Sequence, residues 1–248
     1  MLYDNAMLLN VLCDAFKITT DEKYKEVIEE TISFLLREMK HSDAGFYSAL
    51  DADSEGVEGK FYTFTSDEWQ ELFANQPAYL AAYFGIEKLG NWEHSNILHR
   101  AHKIEQIVSE QSLSVDEVKS AIQQAKKMLL AARNKRIRPS TDDKILLSWN
   151  ALLNTALSKA SIALNQKEYA SIAQAQMDWM LQCFELDKIP RHTWKNGLAK
   201  ITANLDDLSF LVQALIQLSM TINEDQYLQK AVQITEYIYL HFTIQDSP

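Results

Sequence analysis

The sequence predicts an all-α fold: an incomplete toroid of α/α helical hairpins with a small β-hairpin insertion. Three observations carry that prediction. Apolar residues recur at i, i+3, i+4 and i+7 through most of the chain. Only six glycines and four prolines interrupt 248 residues, so few positions can break a helix. Three segments, 2–39, 147–184 and 205–242, align with one another without gaps. In that alignment Leu8, Leu153 and Leu211 coincide, as do Leu12, Leu157 and Leu215, and Tyr24, Tyr169 and Tyr227.

Each repeat reads as a helix, a short polar turn (TTDEK, LNQKE, INEDQ) and a second helix. Hairpins repeated in this way stack into an array, because one alone cannot bury its apolar face. The first helix of each pair (MLLNVLCDAF, ALLNTALSKASIAL, FLVQALIQLSM) has little charge around its circumference. The partners, such as DEKYKEVIEETISFLLREM, carry a charged face. An inner and an outer row of helices follow. All first helices start at the same end of the array. Their openings (Asp4-Asn5, Trp149-Asn150, Asp206-Asp207) therefore share a rim with the segments after the second helices, around Tyr47 and Arg191-His192.

Residues 45–113 have a different texture and form the insertion within a single partial barrel spanning 1–248. FYSAL and KFYTFT read as two short strands around SEGVEG. SDEWQELF reads as a short helix capped by Ser66, and PAYLAAYFGI as another. GNWEHSNILHR reads as a loop. From Ser114 a capping box with Glu117 opens a strong helix about 35 Å long. RPSTDDK then leads back to the rim.

Composition excludes several function classes. A net charge of −10 leaves no broad basic stripe for phosphates, so no nucleic-acid partner is expected. The one basic cluster, RNKRIR at 133–138, ends a predicted helix and suits the negative end of its dipole. Two cysteines, Cys13 and Cys183, with no CxxC or Cys/His spacing, predict no structural zinc and a reduced, cytoplasmic setting. No run of about 18 apolar residues is present, so no membrane span is expected. The opening MLYDNAMLLN reads as a helix start and not as a signal peptide.

Five motifs, in order along the chain, carry a family resemblance: MLYDNA (1–6), GFYSALDADSEGVEGKFYTFT (45–65), GNWEHSNIL (90–98), RPSTDDKILLSWNALL (138–153) and LDDLSFL (205–211). With them the chain resembles the C-terminal part of the thioredoxin-domain-containing proteins related to spermatogenesis-associated protein 20 and the bacterial YyaL-type proteins. The resemblance implies a six-hairpin-glycosidase-type (α/α) barrel, an architecture shared with N-acylglucosamine 2-epimerases and several glycoside hydrolases. It also implies an N-terminal thioredoxin-like domain, which is missing from this sequence, and a ring that the three repeats do not close. The chain is therefore expected to be a fragment. It departs from the family pattern at Ala151, His94 and Leu208-Ser209.

Candidate site residues gather at the predicted rim. Asp51, Asp53, Glu55 and Glu58 crowd the stretch DADSEGVE. They match the first half of a calcium loop but lack the bidentate Glu at its twelfth position, where Tyr62 stands. A solvated acidic turn and a rim element lending carboxylates to a pocket both remain open. Asp143 and Asp207 precede or open inner helices. Each could cap its helix, or the two could form the carboxyl pair that glycosidase chemistry requires. Lys144 or Arg138 could hold the charge of Asp143. His192 is the rim histidine best placed for the proton transfer of an epimerase, with His94 second. Tyr3, Asp4, Asn5, Tyr47, Trp149, Asn150 and Arg191 offer the aromatic face and hydrogen-bonding groups that a sugar uses.

The expected function is a carbohydrate-active domain, hydrolase- or epimerase-like, without a metal or other cofactor. The alternative is a non-catalytic ligand-binding or scaffold module partnering the thioredoxin-like domain. Terpenoid cyclisation would want a DDxxD or DxDD motif, and a lanthionine-cyclase zinc site would want Cys and His ligands. Neither is present.

Overall fold

The computed structural model describes residues 1–243. The chain divides into two compact units: Met1–Leu50 together with the chain from Thr141 onward, and Asp51–Ser140. In chain order the first unit opens with α1 (Leu2–Thr19), α2 (Glu22–Glu38) and β1 (Ala49–Leu50). The second holds β2 (Asp53–Ser54), β3 (Val57–Glu58), α3 (Ser66–Phe73), α4 (Tyr79–Tyr83), α5 (Ile104–Gln111) and α6 (Val115–Arg133). The first unit resumes with β4 (Thr141–Asp142), β5 (Ile145–Leu146), α7 (Leu147–Leu164) and α8 (Lys167–Cys183). It continues with β6 (Arg191–Lys195), β7 (Leu198–Thr202), α9 (Leu205–Ile222) and α10 (Asp225–Phe242).

The first unit is three helical hairpins, α1–α2, α7–α8 and α9–α10. Each first helix ends on a left-handed residue: Thr20 (φ 54°), Asn165 (φ 54°) and Asn223 (φ 58°). Asparagine adopts that conformation readily, and the reversed chain enters the next helix almost at once. The inner row is α1, α7 and α9, with α7 packed between the other two, and α2, α8 and α10 form the outer layer. The all-α class and the layering expected from the repeats are present. Leu153 and Leu211 are fully buried, whereas the register-equivalent Leu8 is 49% exposed. The reason is position: α1 has an inner-row neighbour, α7, on one side only. By length and hydropathy α9 could cross a membrane, and it is the one helix among the described residues that could. Here it is an inner helix packed on α7 and α10.

Buried amides tie the inner row to its surroundings. Asn150, with no exposed surface, accepts from Phe46 N–H (2.8 Å) and donates to the Phe46 and Leu146 carbonyls. Gln176 of α8 donates to Asn150 and accepts from Asn154. The start of α7 is thus fastened to the chain after α2 and to its outer partner.

The strands depart from the sequence reading. FYSAL does supply β1, but β1 pairs antiparallel with β4 and not with KFYTFT. The hairpin of the insertion is shorter: β2 pairs with β3, Asp53 opposite Glu58 and Ser54 opposite Val57. Glu55 (φ 56°) and Gly56 (φ 75°) close a two-residue turn, so pairing starts immediately beside it. A second turn at Gly59, whose carbonyl receives Tyr62 and Thr63 N–H, then carries the chain away. KFYTFT keeps only a bridge from Phe64 to Asn96. The three-stranded sheet β5–β6–β7 was not expected at all.

The second unit has its own core, in which Trp69 stacks on Phe73 (centroids 4.0 Å) beside Leu80, Tyr83, Ile107, Val118, Ile122 and Leu129. The Ser114–Glu117 capping box opens α6 as expected. At α3 the cap is Thr65, one residue before Ser66, because Glu68 reaches back to it in a capping box. The basic cluster does more than sit at a helix end. Arg136 donates to the carbonyls of Lys60, Phe61 and Thr63, pairs with Glu68 (2.9 Å) and lies over the Phe64 ring. It staples the chain after α6 to the segment before α3.

Candidate active site in the first unit

The site begins with a hairpin. Asn196 (φ 50°) and Gly197 (φ 79°) form the two-residue turn that joins β6 to β7. β6 also pairs with β5, Thr193 opposite Leu146 and Trp194 opposite Ile145. Alternation puts His192 and Trp194 on one face of this sheet. Trp194 is buried, and His192 keeps 24% of its side chain exposed.

Asp207 lies beneath them. It occupies the N3 position of α9 and completes a capping box with Asn204, so the expected capping role is present. Its side chain is fully buried, yet both carboxylate oxygens are in use. Oδ2 accepts from Asn204 N–H (2.9 Å) and Oδ1 from Ser148 N–H at the start of α7 (3.1 Å). The Nδ1 of His192 lies 2.8 Å from Oδ2 and 3.0 Å from Oδ1. A carboxylate only accepts, so Nδ1 carries the hydrogen and donates it. Among the described residues Nε2 has no partner, and in the neutral ring it holds the lone pair. One acid thus joins α7, α9 and β6 and fixes the tautomer of a part-exposed histidine.

Next to Ser148, Trp149 meets Tyr3 of α1 with ring centroids 4.8 Å apart. The openings of all three inner helices therefore contribute to one neighbourhood. Asp4 adjoins Tyr3 and raises the pKa of its phenol through its charge and a hydrogen bond.

Other candidates are placed differently. Asp143 does not cap α7, whose N-cap is Leu146 without a side-chain bond. Its charge is held by Lys195 of β6 (2.5 Å) and not by Lys144 or Arg138. That hydrogen bond lowers the Asp143 pKa. Lys144 pairs instead with Asp142 (3.2 Å). Asp143 and Asp207 thus take different partners, Lys195 and His192. Asn150 is buried with its donors and acceptor spent on the fold, which leaves nothing for a substrate. Asn5 donates to the Met1 carbonyl. Arg191 pairs with Glu185 (2.8 Å) and lowers its pKa.

Tyr47 meets His41 edge-on at 5.5 Å. His41 is boxed by Tyr47, Trp194 (5.2 Å) and Trp179 (6.4 Å). Its Nδ1 accepts Asp43 N–H, so the hydrogen sits on Nε2. Asp51, Asp53, Glu58, His94 and Arg138 belong to the second unit. Asp51 is spent on its own loop: it accepts from Asp53 N–H and the Ser140 hydroxyl, and both bonds lower its pKa. Among the described residues no group of three or more His, Cys, Asp or Glu side chains could hold a metal ion.

What the sequence reading missed is the hairpin that carries His192. Its signal was present, since Asn-Gly between two β-rich runs (RHTWK, LAKIT) is a strong hairpin mark.

The chain is 30% identical to an uncharacterized protein of Caenorhabditis elegans over 276 residues, which covers 98% of the chain and 38% of that protein. It is 26% identical to human and 25% identical to mouse spermatogenesis-associated protein 20, in each case over 95% of the chain. The chain is thus similar to spermatogenesis-associated protein 20 over nearly its whole length. It spans 35% of the human and 34% of the mouse protein, consistent with the C-terminal part expected from the motifs. No protein-family model matches it. Among solved structures, a crystal structure of D-mannose isomerase aligns over 96% of the chain and 58% of its own, with a TM-score of 0.39 and 15% identity.

Proposed function

We propose that the first unit is a carbohydrate-active domain in which His192 serves as the general base for proton transfer at a sugar carbon. One observation carries this reading: the buried Asp207, held by Asn204 and Ser148, donates no proton and fixes His192 with Nε2 as the acceptor. A base oriented by a buried carboxylate is the arrangement that proton-transfer enzymes use. The Tyr3–Trp149 pair, beside Ser148, supplies an aromatic surface of the kind on which the C–H face of a sugar packs.

The geometry supports an epimerase- or isomerase-like step over glycoside hydrolysis. Hydrolysis needs one carboxyl group free to protonate the leaving oxygen and a second to act as base or nucleophile. Asp207 has both oxygens occupied by N–H donors. In the proposed step Nε2 takes the proton from the carbon next to the sugar carbonyl, and the electron pair moves into an enediolate. The proton then returns to the same carbon, which is seen as exchange, or goes to the carbonyl carbon while the C2 hydroxyl proton passes to the C1 oxygen, which gives the ketose.

The test is solvent exchange. The chain is incubated in D2O with D-mannose, D-glucose and N-acetyl-D-mannosamine, and deuterium at C2 is followed by proton NMR. Exchange that His192→Gln abolishes, while that variant melts like the native chain, is the expected result. A folded native chain that catalyses no exchange on any of them removes the catalytic reading. The Asp207–His192 pair would then be a structural link between β6 and α9, as a scaffold would use it.

A further inference from the structure

A cleft of about 440 Å³ opens in the second unit, and every residue lining it lies within Asp51–Ser140. It is bounded by the β2–β3 hairpin, the segment before α3, the turn at 92–95 and the chain just after α6. The volume is within the range of small-molecule sites.

The turn is costly, and its cost has a consequence. Trp92 and Ser95 pair across it, and the two residues between them, Glu93 (φ 42°) and His94 (φ 65°), are both left-handed. Asn-Gly is the usual occupant of such a turn. The bridge puts the Trp92 indole and the Ser95 hydroxyl on one side, since directly opposed residues share a face. Gly59 completes the arrangement. A Cβ there would come within 2.7 Å of the Trp92 ring, so the indole lies on bare backbone.

The charges of the cleft fall into two groups. Lys60 pairs with Glu55 (2.7 Å), and Arg136 with Glu68 (2.9 Å). Among the described residues the carboxylates of Glu58 and Glu93, the ammonium of Lys135 and the hydroxyl of Ser95 have no hydrogen-bond or ion-pair partner, and all four residues line the cleft. A cationic ligand would meet Lys60, Lys135 and Arg136. An anion would meet four glutamates. A neutral ring bearing hydroxyls can use both signs at once: hydroxyls donate to Glu58 and Glu93, accept from Lys135, and leave a C–H face for Trp92.

We infer that this cleft is a saccharide-binding site, separate from the His192 site and independent of whether that site is catalytic. Its test is ligand-detected saturation-transfer NMR on the whole chain. The probes are D-glucose, D-mannose, N-acetyl-D-glucosamine and maltose at about 10 mM, with spermidine and inorganic phosphate as charged controls. At least one saccharide is expected to bind. Trp92→Ala should weaken it about tenfold, and Glu58→Gln should weaken it less. Trp92→Phe keeps a ring on Gly59 and should bind at an intermediate level, which guards against misfolding in the alanine variant.

Three results would overturn the inference. The folded chain could bind none of the four saccharides. Binding could persist unchanged in both Trp92→Ala and Glu58→Gln, which would place it outside the cleft. A charged control could bind in place of the sugars, which would assign the cleft to a different chemistry.

Discussion

Two acidic regions of this chain invite the same reading and turn out opposite. The stretch 51–58 has four carboxylates in eight residues, and Asp207 is one of a pair at the start of a helix. In the first, Asp51 turns back on its own loop, Glu55 takes Lys60, and Asp53 and Glu58 remain on the surface. In the second, one buried carboxylate organises three segments and a histidine. Density of charge along the chain does not by itself join segments. A single acid at the N3 position of an inner helix, roofed by a hairpin, makes a constellation.

The contrast can be broken at its strong end first. Replacing Asp207 with Ala leaves the Ser148 and Asn204 amides and the His192 ring without their acceptor in a buried setting. The expected loss is about 3 kcal/mol of stability, measured by urea denaturation. Asp51→Ala should leave the urea midpoint nearly unchanged. Equal losses would refute the distinction drawn between the two regions. Asn150→Leu comes next, with an expected loss of about 2 kcal/mol, because the Phe46 and Leu146 backbone groups and Gln176 lose their partner.

A stabilising change sharpens the comparison from the other side. Glu93→Asn with His94→Gly gives the 92–95 turn the residues its backbone prefers. Thermal stability should rise, by about 1 kcal/mol. No gain would mean that these residues are not strained.

Two smaller effects concern protonation. Lys195 lowers the Asp143 pKa in the folded chain. The pair therefore stabilises above the unfolded carboxyl value of about 3.9 and loses its effect as pH falls through the lower folded value. The melting difference between the native chain and Asp143→Asn should be small, since the pair is half-exposed, and constant from pH 7 to about 5. It should disappear toward pH 2. A difference that grows with acid would contradict that sign. Burial pushes the Cys13 thiol up to about 12. In native protein at pH 8, iodoacetamide should label Cys183, which is only partly buried, well before Cys13.

The sequence by itself determined the helical class, the three hairpins, the inner and outer rows and the family resemblance. Each of these is written in a local period, a polar turn or a motif, and local patterns survive translation into structure. It also showed His192 and Asp207 as separate candidates. Their partnership was decided by the tertiary structure, because it depends on a β6–β7 turn, on the start of α9 and on the amide of Ser148, which lies 59 residues before Asp207 in the chain. The same holds for Asn150, whose side chain reads as available until Phe46 and Gln176 are folded against it. Asp143 was read with its sequence neighbour Lys144, and its real partner, Lys195, arrives from a strand 52 positions on by count along the chain. Periodicity records which face of an element is buried. Which polar groups meet across elements is settled only when burial leaves each of them a single partner.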